Sequence, residues 1–495
     1  MSKFTLKKLI VCNHNNTIFD VKFAEDKLSE RENLLTTVII GENGTGKSYL
    51  LTMISEVFRG LDLKKKNKDI SFRYDTYIVA YYLDGHTYFV KIDKNKIIEI
   101  KKDHKKINID KLILPKKILA VSFMVNDKFT FASQKETSTE EETYKYLGIR
   151  RTSNAAWTTS IVKRVINSLV ANSSNESFYL KVANILEFLN YKPKISLVFE
   201  STRKTLFTKK ITLKALNDKV AKYKKLNDFR TDTISKFNKE DIKQLQNYIN
   251  KIVIKRNQAD NTSSELEFTM ELNLSSRRDY VIKEYQILLK LVDLKLLNSP
   301  ILKFFKNDKF EFEDASSGEK HLIFTLINIA AEIENNSLVL IDEPELSLHP
   351  NWQLNYINNL KKIFSEYVSS HFILATHSHY LVSDLENNSS SIVHISLDTL
   401  EDKPVRNANL INIDTYAWSA ENVLYNIFGV RTVRNYYFEM DLRQLIDLVK
   451  DKSQNLQQII SLIDKLKQHT IDKNDPLNII LKEAERYLMN ATNIR

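Results

Sequence analysis

Three acidic side chains follow an apolar run in the segment SLVLIDEPELSLHP, residues 337–350. Asp342, Glu343 and Glu345 stand within four positions, directly after a stretch that predicts a buried strand. Carboxylates at the end of a strand can hold a divalent cation or orient a water molecule for hydrolysis. An acidic turn after an ordinary strand is the alternative, so the assignment depends on what else the chain supplies.

A phosphate loop is predicted in TTVIIGENGTGKSYLLTMI, residues 36–54, which matches G-x-x-x-x-G-K-[ST] between a predicted strand and a predicted helix. Backbone N–H groups of such a loop converge on a β-phosphate, the lysine reaches the β- and γ-phosphates, and the serine hydroxyl binds Mg²⁺. The chain has eight glycines in 495 residues, so three within six positions favour a functional loop over a chance turn. The predicted loop residues are Gly41, Glu42, Asn43, Gly44, Thr45, Gly46, Lys47 and Ser48.

The predicted phosphate loop indicates which chemistry the acidic segment performs. An apolar strand ending in Asp342 is the Walker B pattern, in which the aspartate contacts Mg²⁺ through water. Glu343, the next residue, is placed to polarise the hydrolytic water. Glu345 is expected to order the turn before Pro350.

Two weaker segments fit the same site. In DASSGEKHLIF, residues 314–324, hydroxyl and N–H groups at a predicted helix N-terminus could bind an anion. In FILATHSHY, residues 372–380, His377 follows another strand and could contact a γ-phosphate. Alone, each is more often a helix cap or a core histidine, but their order around the acidic segment favours a shared site. The candidate residues of the first segment are Ser316, Ser317, Gly318 and Glu319.

The phosphate loop, the SSGE segment, DEPE and ATHS, in this order, resemble the ABC-type ATPase heads of the RecF/SMC/Rad50 and OLD-like families. The segment DEPELSLHP looks most like the OLD-like branch, which includes ATPase subunits of the Septu, PARIS and retron anti-phage systems. The specific motifs cover roughly residues 1–60 and 310–380. The resemblance implies an α/β P-loop fold of the ABC-head type: a mixed sheet with flanking helices and an antiparallel β subdomain, interrupted by a mostly helical insertion and followed by a helical tail.

The same resemblance implies a head-to-tail homodimer, or a higher homo-oligomer, around ATP and Mg²⁺. Ser316 would contact the γ-phosphate bound in the other subunit. His349 takes the position of the usual D-loop aspartate and is expected to face the partner. The chain departs from the pattern where His379 replaces a family proline, and Gln134 is the nearest candidate for the Q-loop glutamine.

The chain is expected to have four parts. They are an N-terminal lobe with the P-loop (1–134), a mostly helical basic insertion (135–295), a C-terminal lobe of the head (296–400) and a helical region that could dock an effector (401–495). Within the insertion, residues 201–258 hold 16 Lys and Arg against five Asp and Glu, which equals the chain's whole net charge of +11. This stretch is either a DNA-facing surface or a lysine-rich solvated helix pair.

Several function classes are disfavoured. The chain has no signal-peptide pattern and no run of 18 apolar residues, so we expect a cytoplasmic protein without a membrane span. A single cysteine, Cys12, leaves no internal disulfide and no Cys-based zinc site. Residues 381–495 show neither a TOPRIM pattern nor His-Asn-His nuclease spacing, so no nuclease site is predicted in this chain.

Together these features predict an ABC-type ATPase with Glu343 and His377 as catalytic residues. We expect a sensor or regulatory subunit of a bacterial anti-phage system, which controls a separate toxic effector such as a nuclease. A RecF/SMC-like DNA-repair ATPase acting on DNA ends or gaps is the first alternative. A transporter's nucleotide-binding subunit is the second, and the size of the insertion argues against it.

Overall fold

A computed structural model gives the fold. It describes residues 3–14, 16–26, 31–124, 127–130, 143–148, 154–172, 174–203, 206–225, 237–258, 265–272, 275–306, 317–346, 348–383, 385–400, 403–411, 414–428, 436–451, 455–468 and 477–492. Two compact units result, one up to Ala420 and one over Glu421–Arg495.

The described residues form sixteen strands and thirteen α-helices. The strands are β1 (Thr5–Asn13), β2 (Asn16–Lys22), β3 (Leu35–Gly41), β4 (Thr76–Leu83), β5 (His86–Asp93), β6 (Lys96–Lys102), β7 (Lys105–Lys106), β8 (Ile118–Ser122), β9 (Tyr144–Tyr146), β10 (Lys194–Glu200), β11 (Glu265–Glu271), β12 (Ile301–Phe304), β13 (Leu338–Asp342), β14 (His371–Ala375), β15 (Ser390–Leu400) and β16 (Lys403–Ile411). The helices are α1 (Lys47–Lys65), α2 (Asn154–Ala171), α3 (Glu176–Phe188), α4 (Leu213–Lys225), α5 (Lys239–Gln258), α6 (Ser275–Asp293), α7 (Ser317–Glu332), α8 (Pro350–Leu354), α9 (Tyr356–Ile363), α10 (Ala420–Asn426), α11 (Tyr436–Lys450), α12 (Leu456–Gln468) and α13 (Leu477–Thr492).

A seven-stranded sheet with the order β16-β15-β3-β14-β13-β8-β9 is the centre of the larger unit. Its neighbouring strands run parallel except for the edge pair of β15 and β16. Every residue of β3, β13 and β14 is buried. Continuous apolar and β-branched runs are typical of parallel strands that are covered on both faces.

A six-stranded antiparallel sheet with the order β2-β1-β4-β5-β6-β7 is the second layer. Burial alternates along β4, as expected where one face packs on a core. α1 contributes to this core, with Phe58 in edge contact with Phe4 at 5.7 Å and with Tyr81 at 5.4 Å between ring centroids. The expected α/β fold with an antiparallel β subdomain is confirmed.

The insertion contains its own small antiparallel sheet with the order β11-β10-β12. β12 follows the boundary expected at residue 295 but pairs with β10, because its apolar residues complete that small sheet. β16 lies beyond the boundary expected at residue 400 yet pairs with β15 along nine positions. The small sheet therefore extends past residue 295 and the seven-stranded sheet past residue 400, and the four-part division stays a prediction.

Three helices form the core of the C-terminal unit. α11, α12 and α13 bury one cluster, whose fully enclosed members include Leu445 and Ile459. The expectation of a helical C-terminal region is confirmed for this part of the chain. In the described ranges, no helix is both long and apolar enough to cross a membrane.

A buried histidine joins the two large sheets. The Leu6 N–H of β1 donates to His371 Nδ1 at 3.1 Å, and His371 Nε2 lies 2.7 Å from Thr37 Oγ1 of β3. Since Nδ1 accepts, Nε2 carries the proton and donates to the threonine. Burial, with a smaller effect from Arg31, holds the pKa of His371 well below its usual range.

We predict that the free energy of unfolding falls as the pH drops below about 6.5, the usual histidine value. The unfolded chain then binds a proton that native His371 does not, which lowers stability by up to about 1.4 kcal/mol per pH unit. This contribution is fully present above the unfolded pKa. Urea unfolding at pH 7.5, 6.5 and 5.5 measures the slope.

His371→Asn is the matched variant, since it keeps a polar group near the Leu6 N–H. It should show a shallower pH slope than the wild type, whatever its absolute stability. Equal slopes in the two proteins would contradict the assignment.

Candidate active site

Three parallel strand ends meet at one edge of the seven-stranded sheet. Asp342 at the end of β13 pairs in register with Ala375 at the end of β14, which pairs with Ile39 of β3. The segments that leave these strands therefore start side by side. Ligands of open α/β sheets bind at such carboxyl ends.

The predicted loop after β3 fits the sheet only with glycine at its start. Gly41 has φ +153°, and a Cβ there would lie 2.2 Å from the Ile395 carbonyl oxygen of β15. Gly46 has φ +100° and is the N-cap of α1, a left-handed conformation that favours glycine. The loop residues Gly41 to Ser48 thus form one turn onto a helix N-terminus, where phosphates bind.

The Lys47 ammonium group is held inside this loop. It donates to the carbonyl oxygens of Gly41 at 2.7 Å and Glu42 at 3.0 Å. Burial lowers the pKa of Lys47 to about 8, and the carboxylates of Glu343, Glu345 and Asp342 oppose that shift. Lys47 is therefore mostly protonated at pH 7, ready to exchange carbonyl partners for phosphate oxygens.

Ser48, in the first turn of α1, meets Asp342 at the end of β13. The Ser48 hydroxyl donates to Asp342 Oδ1 at 2.9 Å, and Asp342 is only 1% exposed. Burial raises the pKa of Asp342 to about 7; the bond from Ser48 opposes this shift, and neighbouring acids add to it. Within the described ranges no group of three or more His, Cys, Asp or Glu could hold a metal by itself. One hydroxyl and one carboxylate fit Mg²⁺, which takes one or two protein ligands and completes its shell with phosphates and waters.

Glu343 and His377 face each other next to that pair. Glu343 has φ +50°, unusual for a residue other than glycine, and its N–H donates to the Ala375 carbonyl oxygen at 2.9 Å. The imidazole of His377 lies between Lys47 and Glu343, with Nδ1 at 3.2 Å from Lys47 Nζ and Nε2 at 3.5 Å from Glu343 Oε1. Because the ammonium group donates, Nδ1 accepts, and Nε2 carries the proton on the Glu343 side.

Glu345 has a different contact from the one the sequence predicts. Its Oε1 accepts the His377 N–H at 2.6 Å, so the carboxylate acts on the histidine segment. Only its backbone serves the turn before Pro350, where the Glu345 carbonyl oxygen accepts the Leu348 N–H at 3.0 Å. Burial raises the pKa of Glu345.

The SSGE segment is described only in part. Ser316 lies outside the described residues, as does Gln134. Ser317 and Gly318 begin α7, as predicted. The Glu319 side chain is buried and pairs with Lys306 at 2.8 Å. The structure therefore connects this segment to Lys306, and its contact with a nucleotide stays a prediction.

His349 lies at the surface, next to the acidic segment. It is exposed, and its Nδ1 accepts the Asn351 N–H at 3.3 Å, which caps α8. The capping bond explains the local conformation without a partner. Contact of His349 with another subunit stays a prediction.

Two residues of the site were not predicted from the sequence. Arg406 of β16 donates from Nε to the Thr45 carbonyl oxygen at 3.0 Å, and its guanidinium lies over the Phe19 ring at 5.4 Å. Asp127, which follows β8, is buried and contributes to the raised pKa of Asp342. Arg406 carried no sequence signal, since 361 residues separate it from Thr45. For Asp127, an acid soon after the apolar run ILAVS was the available signal.

Comparisons with known proteins agree with this geometry. A family model described as AAA ATPase domain matches residues 5–382. The Septu protein PtuA of Bacillus thuringiensis is 28% identical over 142 residues, 26% of this chain and 35% of that protein. The retron Ec83 probable ATPase of Escherichia coli is 34% identical over 107 residues, 19% of each chain. The retron Vc95 probable ATPase of Vibrio cholerae is 25% identical over 411 residues, 77% of this chain and 73% of that protein.

These matches differ in how much of each relative they span. The chain covers about a third of the Septu protein and about a fifth of the Ec83 ATPase. Among solved structures, the Smc head domain of Pyrococcus furiosus is 14% identical with a TM-score of 0.34, over 83% of this chain and 96% of that one. RecF of the RecFOR pathway is 14% identical with a TM-score of 0.28, over 80% and 96%.

We predict that Arg406→Ala raises the Kd for ATP about three- to tenfold, since one hydrogen bond of about 1 kcal/mol then no longer supports the phosphate loop. Isothermal titration calorimetry with ATP and Mg²⁺ measures this. Asn409→Ala, an exposed position of the same strand, is the control and should bind like the wild type. An Arg406 variant with wild-type affinity would contradict the role.

Proposed function

The chain belongs to the AAA ATPase domain family, and we propose that it hydrolyses ATP to ADP and phosphate as a regulatory subunit of a bacterial anti-phage system. In that role it controls a separate toxic effector, such as a nuclease. The observation that carries the ATPase function is the meeting of five side chains at one sheet edge. They are Lys47, Ser48, Asp342, Glu343 and His377.

Each of these side chains has a role in the proposed reaction. Lys47 binds the β- and γ-phosphate oxygens in place of the carbonyl groups it now contacts. Ser48 would hold Mg²⁺ directly and Asp342 would hold it through water, and the bound ion would neutralise phosphate charge. Glu343 accepts a proton from the attacking water and orients it. The Nε2–H of His377 donates to the terminal phosphate.

We propose that a second copy of the chain completes the site. The motif resemblance supports it, because related heads place the SSGE segment across from the partner's phosphate loop. Ser316, Ser317 and Gly318 would then contact the partner's ATP, and His349 would face the partner from its exposed position. Glu319 would anchor the segment through Lys306.

The defence role rests on relatives and motifs. Proteins named as a Septu protein and as retron probable ATPases match this chain, and DEPELSLHP resembles their branch of ATPases. We propose that the ATP-driven state of the dimer controls the effector, with the helical C-terminal region as its docking region.

We predict that Glu343→Gln lowers the rate of ATP hydrolysis about 10²- to 10⁴-fold, because the general base is lost. ATP should still bind, and the variant should accumulate as a closed dimer when Mg²⁺ is present. Phosphate release, calorimetry and light scattering measure the three effects. Lys47→Ala, the control, should lose both nucleotide binding and dimer formation.

The same two variants test the defence role in cells. Bacteria that carry the gene with its neighbouring genes should resist phages, and either substitution should abolish resistance. Unchanged hydrolysis by Glu343→Gln would reject its role as base. Unchanged resistance in both variants would reject ATP as the driver of defence.

DNA binding by the insertion is a separate part of the proposal. α4 and α5 bury apolar faces, including Leu216, Val220 and Leu245, and leave lysines in solvent. Half-buried Lys219 has a lowered pKa because of burial and because Arg203 and Lys222 are close to it. Positive charge is therefore concentrated here, which supports binding to a phosphate backbone.

We predict that reversing Lys214, Lys222 and Lys243 to Glu weakens binding of double-stranded DNA. The slope of log K against log salt should fall by about 0.9 for each phosphate group that the variant no longer neutralises. Fluorescence anisotropy at several salt concentrations measures both the affinity and the slope. The control reverses three exposed lysines of the six-stranded sheet, Lys96, Lys105 and Lys106.

If wild-type binding does not depend on salt, the lysine-rich helices are only a solvated surface. Binding that prefers DNA ends or gaps, with matching stimulation of hydrolysis, would instead favour a DNA-repair ATPase.

A further inference from the structure

The segment that carries His377 is held by two side chains from the chain after β13. Glu345 Oε1 accepts the His377 N–H at 2.6 Å. Gln353 Oε1 accepts the hydroxyl hydrogen of Ser378, the next residue, at 2.5 Å. Two consecutive residues of the loop after β14 are therefore fixed from outside their own strand.

Both acceptors are themselves fixed. Gln353 Nε2 donates to the Leu348 carbonyl oxygen at 2.9 Å, which turns the amide oxygen towards Ser378. Glu345 is largely enclosed, and its second oxygen, Oε2, is buried without a hydrogen-bond partner among the described residues. The Glu345 carboxylate thus holds the His377 N–H at 2.6 Å, with the Glu345 backbone and the Thr376 side chain also bonded to it.

The position of the His377 backbone decides where its imidazole lies. The ring spans the gap between Lys47 Nζ at 3.2 Å and Glu343 Oε1 at 3.5 Å. A shift of about 1 Å at a group that orients reacting atoms can lower a rate about 100-fold. Loss of either acceptor would free the segment to make such a shift.

We propose that Glu345 and Gln353 form a clamp that positions His377 for the terminal phosphate. The clamp rests on the proposed ATPase function. Both are positioning residues, because each contacts the histidine segment and acts through it. Positioning of His377 is the role of Glu345, the last acid in DEPE.

The clamp also joins His377 to the surface at His349. Gln353 lies in α8, and its N–H is 3.2 Å from the His349 carbonyl oxygen, while His349 Nδ1 caps the same helix at Asn351. A partner subunit that displaces His349 would move Gln353 and with it Ser378. One short helix, α8, and one side chain, Gln353, therefore connect the surface at His349 to the segment that carries His377.

The kinetic test compares removal with conservative change. Gln353→Leu and Glu345→Leu remove the acceptors and should lower kcat about 10- to 100-fold, with the Kd for ATP within about twofold of wild type. Glu345→Gln keeps an acceptor oxygen and should retain most activity. Asn355→Ala, at the end of α8, is the control and should be unaffected, because among the described residues its exposed side chain bonds only the Asn351 carbonyl oxygen.

A double-mutant cycle separates positioning from general damage. In a His377→Ala background, Gln353→Leu should lower kcat by less than about twofold further, because the clamp acts through the histidine. A full additional loss would overturn the proposal. Half-buried Gln353 keeps the test valid if Glu345→Leu does not fold.

Amide hydrogen exchange tests the clamp without turnover. In nucleotide-free protein, peptides covering 374–380 should exchange at least about fivefold faster in Gln353→Leu than in the wild type. The same peptides in Asn355→Ala should exchange at the wild-type rate. If the wild type does not hydrolyse ATP, the proposed function fails and exchange alone decides the clamp. Faster exchange in Gln353→Leu then supports it, and unchanged exchange overturns it.

Discussion

The Ser48 hydroxyl and the Asp342 carboxylate form a 2.9 Å hydrogen bond between residues 294 positions apart, and the site depends on that contact. It requires β3 and β13 to lie in one parallel sheet, separated by β14 alone. The insertion must therefore leave and return without disturbing the strand order. Its strands β10 and β11 pair with β12 in a separate three-stranded sheet, while β9 joins only the outer edge of the seven-stranded sheet, so the order of β3, β14 and β13 is kept.

The excess of negative charge at the site favours binding of a cation together with its nucleotide. Three acids, Asp342, Glu343 and Glu345, lie near one buried ammonium group, Lys47, and a fourth, Asp127, acts on Asp342. Burial without enough positive charge raises the pKa of Asp342 to about 7. A divalent cation would stabilise these carboxylates, and its phosphate ligands would give Lys47 better partners than two backbone carbonyl oxygens.

Local patterns were enough to predict most of the site. The glycine spacing before Lys47 predicted the phosphate loop, and apolar runs ending in Asp342 and just before His377 predicted the two strand ends. These signals lie within about ten residues and depend on backbone geometry alone. Contacts between distant segments could not be predicted. They are the hydrogen bond from Arg406 to the phosphate loop, the hydrogen bond from the His377 N–H to Glu345, and the pairing of β12 with β10. Each depends on how separate elements pack.

The most direct measurement is a structure of the wild-type protein with Mg²⁺ and a non-hydrolysable ATP analogue. We predict the phosphates at the N-terminus of α1, Lys47 on the phosphate oxygens, and the metal on the Ser48 hydroxyl at about 2.1 Å, with Asp342 reaching it through water. The imidazole of His377 should lie at hydrogen-bond distance from the terminal phosphate. A nucleotide bound elsewhere, or a metal that does not contact the Ser48 hydroxyl, would contradict the account.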